Sequence, residues 1–264
     1  MQAHAQTMVI TENPTPGIVR LVLNKPDSFN ALSTEMLQSL QAALTGISAD
    51  AGCRVVILAA QGKAFSAGHD LREMRSHPDQ AYYTELFALC SKVMMQIQQL
   101  PQPVVAQVQG IATAAGCQLV SMCDLAVAAD SARFAVSGIN YGLFCSTPGV
   151  GLSRNMHRKQ AMEMLLTGDF IDAPLAVERG LINHSVPLEQ LEDTVLKLCL
   201  KISAKPEPAV RMGKALFYKQ LEMGISAAYQ LAGQTMACNM MDDTAQEGFQ
   251  AFLDKRKPSW SPDA

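Results

Sequence analysis

The stretch QPVVAQVQGIATAAGCQLVSMCDLAVAAD, residues 102–130, holds the pattern that decides the fold. Its first part, Gln102–Gly110, is an apolar run that predicts a β-strand. Small residues then lead into a predicted buried helix, and Cys123–Asp130 predicts the next strand. Strands that are apolar on both faces and alternate with helices are typical of a parallel sheet covered by helices. The stretch therefore predicts an α/β fold.

The same order of elements occurs closer to the start of the chain. Gly17–Asn24 alternates and is rich in β-branched residues, so it predicts a strand. The segment STEMLQSLQAALTGIS predicts a helix with Ser33 as its N-cap, and Arg54–Ala60 is a fully apolar run that predicts another strand. A further helix is predicted over Asp79–Leu100. We place the α/β core at residues 8–190.

The C-terminal part of the sequence is predicted to be helical. The pattern changes from about Arg154, and residues 191–264 are expected to form an all-helical region. No low-complexity linker separates the two parts, and no internal repeat is visible in the sequence. Because Met223–Met241 is amphipathic and Met-rich, we expect this region to form a subunit interface.

Composition excludes several classes of protein. The 264 residues are 48% hydrophobic and carry a formal net charge of −3 with no basic stripe, so nucleic acid is not an expected partner. No segment reaches the roughly 18 apolar residues that cross a bilayer, so no membrane span is expected. The first seventeen residues show no secretory or mitochondrial presequence pattern, which leads us to expect a cytoplasmic location.

The cysteines do not indicate a metal site or a disulfide framework. There are seven of them, they are widely spaced, and they form no CxxC pair. Most lie within apolar runs. We expect reduced core residues and no metal.

Two turns made of small residues are candidate ligand-binding loops. Lys63–Leu71 follows one predicted strand, and Gly110–Leu119 follows another. Ligands of open α/β sheets bind at the carboxyl edge of the strands, where free backbone N–H groups attract oxyanions. Two such groups would make an oxyanion hole. The alternative is that the small residues only allow close packing of helix on sheet; neither a P-loop nor a dinucleotide motif occurs.

Six ordered blocks resemble the crotonase superfamily, also called the enoyl-CoA hydratase/isomerase superfamily. They are LVLNKPDSFNALS, VVILAAQGKAFSAGHDL, PQPVVAQVQGIATAAGCQLVSMCDLAVAADSARFAV, GLFCSTPGVGLSR, AMEMLLTGDFIDAPLAVERGLINHSV and EGFQAFLDKRKPSW. The motifs FSAGHDL, ATAAGCQLV and GLFCSTPGV are most similar to the subgroup of enoyl-CoA hydratase domain-containing protein 3.

The resemblance implies a ββα spiral core with a helical C-terminal trimerisation region, assembled as a homotrimer or as a dimer of trimers. It implies an acyl-CoA thioester as the ligand. Coenzyme A then enters as part of the substrate, and no permanently bound cofactor is expected.

The resemblance also places an oxyanion hole and a coenzyme A site. The two N–H donors fall on Ala67 and Ala115. The residues expected to bind coenzyme A are Ser28, Phe29, Ala31, Ala67, His69, Asp70, Leu71, Gly116, Phe252 and Lys255. Asp27 stands where many members of the family carry Lys or Arg.

The acid positions of the family are substituted in this chain. Hydratases of the family use two glutamates, whose positions fall on Gln118 and Gly138. The aspartate of the dienoyl isomerases falls on Gly149. None of the three residues exchanges a proton near neutral pH. Because positioned proton transfer typically contributes about 10² to 10⁴-fold in rate, we expect ordinary hydration to be very slow.

Several other residues are possible substitutes for the missing acids. His69 titrates near neutrality, Cys145 and Ser146 are nucleophiles if a base adjoins them, and Tyr141 and Asn140 are hydrogen-bond donors. Asp124 is expected to be structural, as are the buried Cys117 and the histidines outside the small-residue turns. The acyl pocket is expected to include side chains of the helix that begins near Asp79, such as Tyr82, Phe87 and Leu89, with orientations that the sequence does not fix.

Three functions fit these residues. The first is an enzyme of the enoyl-CoA hydratase/isomerase group acting in fatty-acid or related thioester metabolism. The second is an acyl-CoA enzyme of different chemistry, such as a thioesterase or a decarboxylase, because an oxyanion hole serves any reaction that builds an enolate or a tetrahedral oxyanion. The third is a non-catalytic acyl-CoA-binding protein.

Overall fold

A six-stranded sheet forms the centre of the molecule, which we describe from a computed structural model for residues 7–261. Two parts of the sequence lie outside the described residues. They are residues 262–264, at the end of the predicted helical region, and residues 1–6, the first six of the seventeen residues without a presequence pattern. The strands of the two sheets are β1 Val9–Thr15, β2 Ile18–Leu23, β3 Val55–Ala60, β4 Ala64–Ser66, β5 Val104–Val108, β6 Ile111–Thr113, β7 Leu125–Ala129, β8 Arg133–Ala135, β9 Ile171–Asp172 and β10 His184–Val186.

The large sheet has the order β1-β2-β3-β5-β7-β10. Strand β1 is antiparallel to β2, and every other pair in this sheet is parallel. The parallel sheet predicted from the apolar runs is confirmed. Strand β1 was not predicted, because its sequence VITENPT buries little and pairs along one edge only.

A second, smaller sheet has the order β4-β6-β8-β9. Each of the central strands β3, β5 and β7 is followed within a few residues by a three-residue strand of this second sheet. The chain thus winds from one sheet to the other as a repeated strand–strand–helix unit. This is the ββα spiral that the family resemblance implies, and the α/β fold class is confirmed.

Eleven α-helices lie around the sheets in the described residues. They are α1 Thr34–Ser48, α2 Leu71–Ser76, α3 Gln80–Gln99, α4 Ala115–Met122, α5 Ser146–Asn155, α6 Arg158–Thr167, α7 Ala173–Glu178, α8 Leu188–Ser203, α9 Glu207–Leu221, α10 Ile225–Met240 and α11 Asp243–Leu253. The predicted cap at Ser33 is present, since its Oγ accepts from the N–H of Met36 at 3.2 Å. Asp79 caps α3 in the same way.

The two faces of the large sheet bury separate cores. One face packs against α1 and α3. The other face packs against α8, through Leu191, Val195 and Cys199. The domain boundary expected between residues 190 and 191 therefore falls inside a helix that belongs to the core, and the helical region that leaves the sheet begins after Ser203.

The C-terminal helices α9, α10 and α11 bury little within the single chain. Neither α9 nor α10 has a buried residue, and α11 buries Ala251 alone. Large apolar side chains face outward, among them Tyr229, which is 75% exposed, and Phe252, which is 80% exposed. Helices with this much open apolar surface are typical of an interface.

A buried ion pair fastens α9 to the core. Lys214 Nζ lies 2.6 Å from Oδ2 of Asp124, and Tyr218 donates to Oδ1 of Asp124 at 2.8 Å. The Lys214 ammonium also donates to the carbonyls of Ile97 and Gln102, at 2.9 Å each. Asp124 is thus a structural residue, as expected.

All seven cysteines are free thiols, and six of them are buried. Burial raises the pKa of Cys53 to about 11 and that of Cys90, Cys117 and Cys199 to about 12. It also raises the pKa of Cys123 and of Cys145. The exception is Cys238 on α10, which is exposed.

Two kinds of feature are absent from residues 7–261. These residues contain no helix with both the length and the apolar character to cross a bilayer. They also contain no group of three His, Cys, Asp or Glu side chains placed to hold a metal ion.

Candidate active site

The two small-residue turns meet in the structure. They contain β4 and β6, which pair in parallel in the small sheet. A Cβ added to Gly68 would lie 2.9 Å from Cβ of Ala114 and 3.1 Å from the backbone nitrogen of Ala115. Gly68 also has a φ of +87°, which favours glycine. The start of α4 is therefore held directly against the first turn.

Gly116 allows this close approach. A Cβ at Gly116 would lie only 2.2 Å from the carbonyl oxygen of Ser66. Gly116 is buried, and it is not one of the residues that line the neighbouring cavity. Its place in the structure is a packing contact between the two turns, which is the alternative that the sequence left open for these small residues.

A cavity of about 310 Å³ opens beside the two turns. This size lies at the lower end of the range for small-molecule sites, about 300–1,000 Å³. Its walls are mostly apolar and come from both turns, from α2, α3 and α5, and from the segment between β8 and α5. The lining residues are Ala67, His69, Leu71, Met74, Phe87, Ala114, Ala115, Ser137, Gly138, Tyr141, Leu143, Phe144, Cys145, Ser146, Thr147 and Pro148.

The Ala115 N–H has the properties expected of an oxyanion donor. Ala115 is the first residue of α4, so its N–H has no partner within the helix. The preceding residue, Ala114, has a φ of 50° and a ψ of −122°, a conformation that L-residues seldom adopt. This backbone turn places the start of the helix at the cavity.

The structure does not support Ala67 as the second donor. The Ala67 N–H donates to the carbonyl oxygen of Phe29 at 3.0 Å, and the Gly68 N–H donates to Oγ of Ser66 at 3.3 Å. The N–H of His69 has no acceptor among the described residues. The first turn thus has its free N–H at His69, two residues after the expected donor Ala67. The Ala67 N–H is not free because it joins the turn to the first loop.

The His69 side chain is held in one orientation. Its Nδ1 lies 3.2 Å from the carbonyl oxygen of Leu32, and its ring packs 5.4 Å from that of Phe87. Nε2 is buried without a partner among the described residues. Burial lowers the pKa of His69, and the Leu32 hydrogen bond and the charge of Glu73 offset this only in part. The ring is therefore neutral at pH 7.

The three family acid positions do not all line the cavity. Gly138 lines the cavity, whereas Gln118 and Gly149 do not. Gln118 is 4% exposed, and its Oε1 is buried without a partner in the described part of the chain. Gly149 faces the Leu165 side chain, 3.3 Å from where its Cβ would lie. Gly138 is therefore the only one of these three positions that contributes to the cavity wall.

The segment after Gly138 folds back over it. The Leu143 N–H donates to the Gly138 carbonyl at 3.0 Å. A Cβ at Gly138 would lie 2.6 Å from the carbonyl oxygen of Leu143 and 2.8 Å from Sγ of Cys145. The space beside Gly138 is thus filled by the neighbouring chain.

The expected coenzyme A residues of the first loop lie outside the cavity lining. Ser28 donates from Oγ to the Lys25 carbonyl at 3.3 Å, Phe29 is exposed, and Ala31 is buried. Asn30 is the residue that the sequence reasoning missed. Its Nδ2 donates to the carbonyls of Gln61 and Ala64, at 2.8 and 2.9 Å. Asn30 lies between Phe29 and Ala31, and its φ of 51° is one that Asn adopts more readily than most residues. Its two hydrogen bonds fix the first loop against the second.

The other expected coenzyme A residues divide between the cavity and distant positions. Leu71 lines the cavity, while Asp70 caps α2 through its Oδ1, which accepts from Arg72 and Glu73. Phe252 and Lys255 lie at the end of α11 and do not line the cavity. Of the other candidates, Phe87, Tyr141, Cys145 and Ser146 line it, and Tyr82, Leu89 and Asn140 do not.

Comparison with known proteins agrees with this architecture. The sequence model of the enoyl-CoA hydratase/isomerase family matches residues 14–263. The chain is 48% identical to the rat protein named enoyl-CoA hydratase domain-containing protein 3, mitochondrial, over 93% of this chain and 82% of that protein. This likeness confirms the predicted subgroup.

Two crystal structures are similar over nearly the whole chain. An enoyl-CoA hydratase of Mycobacterium smegmatis is 57% identical, with a TM-score of 0.95 over 97% of this chain and 99% of that one. Human enoyl-CoA hydratase domain-containing protein 3 is 45% identical, with a TM-score of 0.92 over 96% of this chain and 100% of that one.

The expected cytoplasmic location is contradicted by these comparisons. The rat, human and mouse relatives, 47–48% identical, are named as mitochondrial proteins. Reduced cysteines do not distinguish one reducing compartment from another.

The sequence blocks, the two-sheet spiral and the meeting of the two turns lead to the same conclusion as these comparisons. The chain belongs to the enoyl-CoA hydratase/isomerase family.

Proposed function

We propose that this chain binds an acyl-CoA thioester in the 310 Å³ cavity, with the carbonyl oxygen between the main-chain N–H groups of His69 and Ala115. The observation that carries the proposal is the contact of the two turns, 3.1 Å between a Gly68 Cβ position and the Ala115 nitrogen. It brings two N–H groups without acceptors to one mostly apolar cavity. Such donors stabilise an oxygen that gains negative charge.

Ordinary hydration of an enoyl thioester is expected to be very slow. None of the residues that line the cavity is Asp, Glu, Lys or Arg. The positions of the two hydratase glutamates hold a buried amide, Gln118, and a glycine, Gly138, whose side-chain space is filled. The site therefore polarises a thioester without the carboxylate pair that places and protonates water. The setting we propose is fatty-acid or related acyl-CoA metabolism.

The test is binding and turnover measured together. Purified protein is titrated with butyryl-CoA and with free coenzyme A by calorimetry, and crotonyl-CoA hydration is followed at pH 7. We expect butyryl-CoA to bind more tightly than coenzyme A, and hydration far below about 10 s⁻¹, a median enzyme turnover. Failure of butyryl-CoA to bind would refute the proposal. Release of free acid and coenzyme A would replace it with a thioesterase.

An Ala115→Pro variant tests the donor itself. Proline removes the N–H at a first helical position, where its ring is tolerated. We expect the Kd for butyryl-CoA to rise about tenfold, the loss of one hydrogen bond of roughly 1.4 kcal/mol. Arg158→Pro, at the exposed first position of α6, is the matched control and should leave the Kd unchanged.

We also propose that the chain forms a homotrimer or a dimer of trimers through α9–α11. The outward apolar side chains of these helices, such as Tyr229 and Ile225, support this proposal. Light scattering on the wild type and on Ile225→Glu/Tyr229→Glu measures the mass. We expect three or six subunits in the wild type and a smaller assembly in the variant; a monomeric wild type would refute the proposal.

A further inference from the structure

One unpartnered polar atom belongs to a residue of the cavity wall. Ten side chains in residues 7–261 have a buried nitrogen or oxygen without a hydrogen-bond partner. Of these ten, only His69 lines the cavity that holds the two free N–H groups. A buried polar atom left without a partner costs about 1–3 kcal/mol, and such atoms are often explained by a catalytic or binding role.

The tautomer of His69 follows from its hydrogen bond. A carbonyl oxygen only accepts, so the contact between Nδ1 and the Leu32 carbonyl, 3.2 Å, requires the proton on Nδ1. Nε2 of the neutral ring then carries a lone pair and no hydrogen. This nitrogen is an acceptor, which suits it to take a proton from a ligand.

The groups around His69 keep the ring neutral. The Leu32 carbonyl faces it from the first loop, the Glu73 carboxylate acts from α2, and the apolar ring of Phe87 packs on it from α3. Burial dominates and lowers the pKa of His69. At pH 7 the base form is therefore present without a titration step.

The other ionisable or nucleophilic groups of the cavity are less suited to accept a proton. Burial raises the pKa of Cys145, so this residue is a neutral thiol. Ser137, Ser146 and Thr147 are alcohols, which ionise far above neutral pH. Tyr141 is a phenol whose side chain is mostly exposed.

We propose that Nε2 of His69 removes a proton from the α-carbon of the bound acyl thioester, an inference that rests on the proposed function. The α C–H bond breaks and its proton goes to Nε2. The electron pair forms the C=C bond of the enolate, and the thioester π pair moves to the oxygen held by the N–H groups of His69 and Ala115. The imidazolium then returns a proton to the α-carbon. One residue thus supplies an oxyanion donor from its main chain and a base from its side chain.

The geometry of one residue makes the two roles compatible. The carbonyl carbon and the α-carbon of the ligand are joined by one bond, and the N–H and the imidazole leave the same Cα of His69. A thioester oxygen held at the N–H therefore brings the α-carbon close to the side chain. The ring of Phe87, 5.4 Å from that of His69, limits where the imidazole can go.

Exchange of the α-hydrogens of butyryl-CoA in D₂O tests the inference. Butyryl-CoA has no double bond and no leaving group, so proton removal and return are read directly by NMR. We expect the wild type to incorporate deuterium at the α-carbon, and His69→Gln to slow exchange by about 10² to 10⁴-fold. The Kd for butyryl-CoA should stay within about threefold, because the variant keeps the main-chain N–H.

A control variant and a rescue separate chemistry from folding. Gln160→Met removes another unpartnered buried atom, on α6 and outside the cavity lining, and should leave exchange unchanged. His69→Ala should lose exchange and regain part of it when free imidazole is added. In the wild type the exchange rate should rise with pH below 6.5 and level off by pH 7.

The failures of the two proposals are distinguishable. A wild type that binds butyryl-CoA and shows no exchange, or His69→Gln that exchanges at the wild-type rate, would overturn the role of His69 and leave acyl-CoA binding intact. A wild type that does not bind butyryl-CoA would overturn the proposed function itself.

Discussion

The sulfur of Cys145 lies 2.8 Å from the position that a Cβ on Gly138 would occupy. Together with the Leu143 carbonyl oxygen, 2.6 Å from the same position, it fills the space that a side chain at Gly138 would need. The segment between β8 and α5 therefore closes the space at the second acid position. Substituting the residue back does not recreate the room that a carboxylate requires.

Restoring both glutamates should not restore hydration. We expect Gln118→Glu/Gly138→Glu to remain far below about 10 s⁻¹ with crotonyl-CoA, because a side chain at position 138 meets Leu143 and Cys145. Overpacking of this kind typically costs about 1–3 kcal/mol, which urea unfolding would measure. Gly213→Ala, where nothing lies within 4 Å, is the control and should not destabilise the chain. A double variant with median turnover would contradict the prediction.

Breaking the buried pair between Lys214 and Asp124 should destabilise the chain. The Lys214 side chain is 6% exposed, so Lys214→Met leaves the Asp124 carboxylate buried without its cation. Loss of one partner of a buried pair typically costs about 3–5 kcal/mol. We expect urea unfolding to show this loss, and Lys214→Met/Asp124→Leu to recover part of it. Lys197→Met, from an exposed ion pair on α8, should change stability little.

Gly116→Ala should separate the two turns. Its Cβ would lie 2.2 Å from the Ser66 carbonyl oxygen, so the start of α4 must move away from the first turn. We expect both a lower unfolding free energy and weaker butyryl-CoA binding in the same variant. Gly46→Ala on α1, with nothing within 4 Å, is the matched control. Normal binding in a destabilised Gly116→Ala would show that the contact stabilises the fold without shaping the site.

His69 should make stability depend on pH below neutrality. Because its pKa is lowered in the folded chain, the unfolded chain binds the proton more readily. The contribution is fully present above about pH 6.5, the ordinary pKa of histidine, and is lost as the pH falls below it. The unfolding free energy of the wild type should fall more steeply from pH 7 to pH 5 than that of His69→Gln, by at most about 1.4 kcal/mol per pH unit. Parallel curves would contradict this.

Long apolar runs made the large sheet predictable. Strands β3, β5 and β7 are buried on both faces, so their sequences show continuous apolar character. The strands of the second sheet have two or three residues each, too few for any period to appear. Strand β1 is an edge strand with a largely polar sequence. The ββα spiral came from the family resemblance and not from these patterns.

The location of the site was predictable from the sequence, but its hydrogen bonds were only partly predictable. The meeting of the turns at Ala115 was expected, but the partner of each N–H was not. Which N–H of the first turn remains free depends on the Phe29 carbonyl, whose position follows from positive φ angles at Phe29 and Asn30. Such angles are rarely readable from these residue types. The boundary expected at residue 190 falls inside α8 for a related reason, since the sequence of this helix is amphipathic whether it faces a sheet or another subunit.

The burial of six thiols gives the unmodified protein a single point for chemical labelling. Thiolates are the reactive form, and the raised pKa values of the buried cysteines leave Cys238 as the accessible sulfur. Cys238 lies on α10, among the helices proposed to join subunits. A maleimide dye on the wild-type chain therefore reports assembly directly, either by being blocked in the oligomer or by energy transfer between its subunits.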